Sequence, residues 1–456
     1  IMSQVEVDKI IPQSGTTLTV GDSGDTVTFT SGANLSVDGT IKLDGNYPTG
    51  TENVALGDTA LDSVEAGGTN NTVIGSKAGT AITTGDFNTA VGLCSQHSVT
   101  TAGSNVSIGA NSLRDNVTGT ANTALGHASL LVNTASNNTA TGWLSLSANT
   151  SGANNVGIGV QSLAANTTVA DNTSMGHVSL LSNTTGVRNT AVGRCSLASN
   201  TTGTQNTAIG KDALKVNTTA SNNTAVGIQS LFSNTTGTSN VGLGACSLYN
   251  NTTADNNTAV GKDSLLANTT GFQNVAVGSI SAVTNTTGEC NTSIGHASLY
   301  NNSTGSKNTA VGNFALNDNT TANNNTAVGH CSQKVGTTGN LNTSTGAFSM
   351  CGATASCNTA LGYLALAVSS GVSNTAVGLR SLVSNTTGSS NAAVGNCALA
   401  NNTTGANNTA VGKDSLKTNT TASGNTGVGE SALELTTTGC CNTAVGNGAL
   451  QANTTG

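Results

Sequence analysis

The sequence predicts an all-β fold: a parallel β-solenoid (a β-roll or β-helix) of about 24 coils with a 17-residue period, with a small N-terminal β cap. Three observations lead to it. The phrase N-T-A-V-G-K-D-S-L-L-A-N-T-T-G-F-Q at 257–273 recurs, by its opening N-x-x-x-G, 24 times between Asn53 and the end. Successive starting Asn residues are 17 apart almost everywhere, 18 apart once and 16 apart three times. A short, regular period of this kind is the signature of stacked structural repeats. Finally, no stretch carries the three-to-four-residue apolar spacing of a helix, and Gly and Asn, poor helix formers, are abundant.

The chain divides into residues 1–50 and 51–456. The first part reads as short alternating segments, T-T-L-T-V at 16–20, T-V-T-F-T at 26–30, N-L-S-V-D at 34–38 and T-I-K-L at 40–43, separated by Gly-Asp, Ser-Gly and Asp-Gly pairs that suit turns. Both prolines, Pro12 and Pro48, bracket it. It is expected to be a β-rich cap or attachment module, because the first coil of a solenoid otherwise presents an unpaired strand edge.

Numbered from its starting Asn, the repeat can be justified position by position. Position 5 is Gly in all 24 copies, which implies positive φ or a backbone approach too close for a Cβ, and hence a corner. Position 4 is Val, Ile, Leu or Met in 22 copies, with Thr141 and Thr345 the exceptions. Position 2 is mostly Thr or Val, so positions 2 and 4 share one face of a short strand and position 3 the other. Position 3 is always small, Val73 being the largest residue there. Position 8 is Ser or Ala, and position 9 is Leu in 19 copies, an inward anchor. Positions 12–14, usually N-T-T, begin the return, and Gly or Ala at 15 closes it.

A few modest apolar side chains per coil make a thin core, so coils must stack. The small-residue face at position 3 is expected to pack against other chains around a threefold axis, giving a homotrimer. At about 4.8 Å per layer, 24 coils give a stiff shaft on the order of 115 Å long.

Composition excludes several functions. Only 8% of residues are charged, and the net charge of −7 offers no basic stripe for nucleic acid. No run of 18 apolar residues is present, so no membrane-spanning helix is expected. The opening I-M-S-Q-V-E-V-D-K lacks a basic-then-apolar pattern, so no secretory leader is expected within it.

Candidate chemistry is equally sparse. Of the ten cysteines, Cys94, Cys195, Cys246, Cys331 and Cys397 fall at position 7, and Cys290, Cys351, Cys357, Cys440 and Cys441 lie near repeat joins. None has zinc or redox spacing; they read as substitutes for Ser or Ala. His127, His177, His296 and His330 sit at position 6. Three such rings on a threefold axis could hold a metal, but Lys211, Lys262 and Lys413 occupy the same position elsewhere, which favours an exposed corner. The pairs Lys211-Asp212, Lys262-Asp263 and Lys413-Asp414 read as solvated corner pairs. N-T-T triplets such as those at Asn166, Asn183, Asn200, Asn268 and Asn285 match the N-glycosylation pattern, and equally an Asn ladder capping backbone groups at a turn. Trp143, the single tryptophan, is an exposed oddity or a packing variant. No carboxylate pair, activated nucleophile or phosphate-cradling loop stands out, so no catalytic, cofactor or metal site is expected and enzyme activity is not.

The phrase N-T-A-V-G-x-x-S-L resembles the head repeat of trimeric autotransporter adhesins, a left-handed parallel β-roll of roughly 14-residue period. The nearest local matches are N-T-A-I-G at 206–210 and N-V-S-I-G at 105–109. The longer form with N-T-T-G between copies is more similar to shafts of bacteriophage tail fibres, as is the opening V-D-K-I-I-P-Q-S-G-T-T-L-T-V-G-D-S-G-D at 7–25. That resemblance implies a trimeric structural fibre in a virion. Its N-terminal module would join tail or baseplate proteins, and its shaft would present a distal tip to a host receptor. The repeat runs to N-T-T-G at 453–456, so such a tip is expected outside these residues. The alternatives are an extracellular or cell-surface adhesin or filament subunit and, ranked lower, an ice-binding solenoid using Thr columns.

Overall fold

The computed structural model describes residues 52–336 and 338–456; the expected N-terminal cap lies outside them. Among the described residues are 24 three-residue strands and no helix, from β1 (Val54–Leu56) to β24 (Thr443–Val445), one per repeat at positions 2–4. Each strand pairs in parallel and in register with those of the coils before and after, so that residue 2 meets residue 2 throughout. The chain is therefore a parallel β-solenoid, with one strand column and a long return in every coil.

The corner at position 5 follows from glycine. All 24 of these residues have φ between 127° and 145°, a region essentially closed to residues with a Cβ. The return is wound by left-handed residues at positions 7 and 9. Leu at position 9 holds φ of 47–54° in every coil that has it, an unusual conformation for a bulky side chain. This geometry turns successive N–H groups in opposite axial directions. At position 7, Cys195 N–H donates to His177 O of the preceding coil (3.1 Å), whereas at position 9 Leu197 N–H donates to Ala213 O of the following coil (3.0 Å).

The interior is narrow and largely polar. Ala at position 3 and Leu at position 9 supply its apolar part, in three clusters along the stack. Two buried amide ladders supply the rest. Asn at position 1 accepts the N–H of the next coil's Asn and donates Nδ2 to the carbonyl at position 15 of its own coil, as in Asn274 N to Asn257 Oδ1 (2.9 Å) and Asn257 Nδ2 to Gly271 O (2.9 Å). Asn at position 12 forms a second column, Asn268 Nδ2 donating to Asn251 Oδ1 at 2.9 Å and to Gly271 O at 2.9 Å. Thr hydroxyls at position 13 donate to the position-13 carbonyl of the next coil, as from Thr269 to Thr286 (3.1 Å). Buried polar groups are tolerated because they are paired.

Candidate interaction face

The strand column decides what the molecule shows to its surroundings, and it corrects one expectation. Position 3 does not face another chain. Its residue is buried in 23 of the 24 strands, β1 being the exception. What confines it is its own chain: a Cβ on Gly157 would stand 2.7 Å from Ser145 Oγ and 3.2 Å from Leu146 Cγ, at positions 8 and 9 of the neighbouring coil. Where position 3 is Ser, it hydrogen-bonds with the position-8 hydroxyl of a neighbouring coil, as Ser174 accepts from Ser162 at 2.8 Å. The residue is small because the coil is thin.

Alternation along the strand then sends positions 2 and 4 outward. Position 4 forms a column of aliphatic side chains open to solvent, with Ile108 45%, Ile209 40% and Leu361 49% exposed. Position 2, Thr in 18 copies, stands half-buried beside it. Past the corner, position 6 adds Trp143, Ile228, Tyr363 and Leu379, all exposed, which widens the apolar band in those coils. Large side chains that would fill an ordinary core thus stand on the surface in register, beyond the scattered exposure a monomer normally shows.

The other candidates resolve onto the same surface. His296 and His330 lie edge-on to Phe314, with centroids 5.6 and 6.4 Å away, and His330 packs against Phe348 at 5.2 Å. Among the described residues, no cluster of His, Cys, Asp and Glu could hold a metal. The expected Lys–Asp pairs are present at 3.5–3.7 Å, joined by Lys215 to Asp212 (3.2 Å) and Lys417 to Asp414 (3.0 Å). The hydrogen bond that Lys417 donates to Asp414 pushes the pKa of its ammonium up. The lysines are exposed but the carboxylates are not: Asp212 is buried and Asp414 largely covered, so these are not the fully solvated pairs expected. An unforeseen fork joins Arg114 to Asp115 at 2.7–2.8 Å and holds that carboxyl below its ordinary range.

All ten cysteines are free. Burial pushes the thiols of Cys246 and Cys351 up, which keeps them protonated and poorly nucleophilic. Asn166, Asn183, Asn200, Asn268 and Asn285 are fully buried or nearly so, as rungs of the second ladder. Their amides are thus committed to structure. The invariant Asn at position 1 heads the first ladder, a role its presence in every copy could have signalled. The left-handed Leu at position 9 left no such mark, since Leu gives no hint of positive φ.

No family model, curated protein or solved structure matches this chain. Among the described residues, no helix is long and apolar enough to cross a membrane.

Proposed function

We propose that this chain is the rigid shaft of a trimeric fibre, with the outward strand column as the seam between three copies. The observation that carries the reading is the in-register aliphatic column at position 4. Three residues at about 3.3 Å by 24 layers at about 4.8 Å give a face of roughly 1,150 Å² per chain; shared between two neighbours, it covers roughly 1,150 Å² in total at each pairwise seam, above the ~1,000 Å² a specific interface needs. Identical coils make that face self-similar along the axis, and a second copy of the same chain matches it rung for rung. Stiffness comes from the continuous ladders, and length follows from the number of coils.

By its resemblance to phage fibre shafts, the fibre belongs on a virion, where residues 1–50 would join tail or baseplate proteins and a distal module would meet the host receptor. An adhesin or filament on a cell surface would use the same seam. A second reading is favoured by the Thr residues ranked at position 2 beside the aliphatic column. Such a regular Thr–aliphatic array is suited to ordering water, so a chain that stayed monomeric would be a candidate ice binder, with inhibition of ice recrystallisation as its assay.

Light scattering on the folded protein tests the assembly. The native chain is expected at three times the mass of the monomer. A variant carrying Val226→Asp, Leu243→Asp and Val260→Asp is expected at the monomer mass with an unchanged circular dichroism spectrum. A native monomer, or a variant that remains trimeric, would remove the seam.

A further inference from the structure

Each coil meets the next through nearly the same contacts, so the stability of the stack is a sum of similar interfaces and its weakest interface opens first. Several coils depart from the pattern, Gly79, Ala282 and Met350 also replacing Leu at position 9, but two others put a polar side chain inside. At position 9, two buried glutamines, Gln96 and Gln333, stand where most coils carry Leu. The apolar interior is divided at these two places: one cluster reaches Ala102, the next runs from Leu113 to Ala327, and the last begins at Met350. The same two coils also lack the Asn of the second ladder, carrying Val99 and Gly336 instead.

The two faults differ in severity. Gln96 Nε2 donates to Thr89 O (3.0 Å) and Asn105 O (3.2 Å), which leaves only its Oε1 unpaired. Neither Nε2 nor Oε1 of Gln333 has a partner, and the rung missing at Gly336 leaves Asn319 Oδ1 unpaired too. Three orphaned buried polar atoms around one coil weaken its contacts with its neighbours, because each was desolvated without compensation. Asn419 Oδ1 is likewise unpaired where Thr436 ends the ladder. There, however, Leu433 keeps the apolar column continuous.

The opposite side of the Gln333 coil remains zipped. Asn342 N–H donates to Asn325 Oδ1 at 3.0 Å, Gly346 N–H donates to Val328 O at 2.8 Å, and β17 (Thr326–Val328) pairs in register with β18 (Thr343–Thr345). Beside that zipped side, the rings of Phe314, His330, Phe348 and Tyr363 run edge to face across the fault at 5.2–6.4 Å. One side of the coil keeps its backbone and side-chain bonds, whereas the other is held by backbone bonds alone, Gln333 N–H to Ser349 O (2.9 Å) and Val335 N–H to Cys351 O (3.0 Å).

We propose that the coil of Gln333 is a built-in joint of the shaft. The stack opens there at its corner of positions 9–12 and bends about the strand column, which serves as the hinge line. The coil of Gln96 is a second, stiffer joint. The shaft is then rigid between them and can swing its last seven coils relative to the rest.

Hydrogen exchange read by mass spectrometry on the full chain tests this. Amides in 325–350 are expected to exchange at least about tenfold faster than those in 206–257, whereas those in 416–433 match 206–257. The double variant Gln333→Leu with Gly336→Asn restores both missing elements, and is expected to slow 325–350 to the rate of 206–257. The reverse pair, Leu214→Gln with Asn217→Gly, is expected to create a fast segment around coil 10. Equal native rates in 325–350 and 206–257 would overturn the joint. So would a folded repaired chain that still exchanges fast, or a reverse pair that leaves coil 10 as slow as its neighbours.

Discussion

Replacing Gly261 by alanine tests the corner on which the winding depends. Gly261 has φ of 132°, and a Cβ there would lie 2.5 Å from Gly278 O and 2.6 Å from Gly278 C in the next coil. The backbone strain is about 1–3 kcal/mol. Relieving the overlap separates the two coils by several tenths of an ångström where Gly278 N–H donates to Val260 O at 2.7 Å, and losing one or two such bonds adds about 1–2 kcal/mol. The total is roughly 2–5 kcal/mol at a single interface. Gly271→Ala is the control. Its added Cβ would lie as close to a backbone oxygen, 2.3 Å from Gly288 O, but no positive φ is required there. Position 15 is already Ala in Ala102, Ala220, Ala254, Ala322 and Ala422, so the coil evidently adjusts. Hydrogen exchange of amides in 257–295 is the assay, with urea unfolding alongside. Gly261→Ala should speed exchange on both sides of its interface by more than tenfold, and Gly271→Ala should change it little. If the two variants behaved alike, the corner would not depend on glycine's access to positive φ.

Two further outcomes follow from the buried amides. Asn257→Ala leaves Asn274 N–H without its partner, while Gly271 O keeps the bond from Asn268 Nδ2, a cost of about 1–3 kcal/mol for the one orphaned group. The outward Thr258→Ala should stay within about 0.5 kcal/mol; urea midpoints compare them. Intact mass of folded protein made in a glycosylating host should equal the mass of the unmodified chain, because a glycan would be joined to Nδ2 of Asn200 or Asn268, which is buried against the preceding coil's Oδ1 and its own coil's turn carbonyl.

The architecture was legible because it is periodic. Gly at position 5, the strand at positions 2–4, Leu at position 9 and the Asn ladder at position 12 all stand where the sequence places them, for the reasons first given. The face of the strand was misread for a definite reason. Val and Ile at position 4 look like core and Ala at position 3 like a close seam, because hydrophobicity is assumed to mark the inside. In a coil this thin the inside holds only Ala, Ser, Asn and one Leu, and the larger aliphatics are displaced to the surface. Size, more than hydrophobicity, sorted the residues. Long-range consequences were also invisible in a repeat-by-repeat reading: Gly336 is one substitution among many until Oδ1 of Asn319, one coil away, is found without a partner.

The irregular coils show what defines the repeat. In the three coils of 16 residues, the position-1 amide still closes on the carbonyl that normally stands at position 15, now 13 residues on: Asn122 Nδ2 to Ala135 O (2.9 Å), Asn342 to Ala355 O (2.9 Å) and Asn358 to Gly371 O (3.1 Å). In the coil of 18 residues, Asn53 Nδ2 reaches Gly68 O, 15 residues on, at 2.8 Å. The missing residue of the short coils is thus taken from the N-T-T-G return, where the second Thr points outward, and never from the strand, corner or anchor. The coil is specified by a closure bond and by the register it imposes on the next Asn, and its length is free to vary where neither is touched. A chain built this way extends by duplication without redesigning a core, because every new coil brings both halves of each bond its neighbours need.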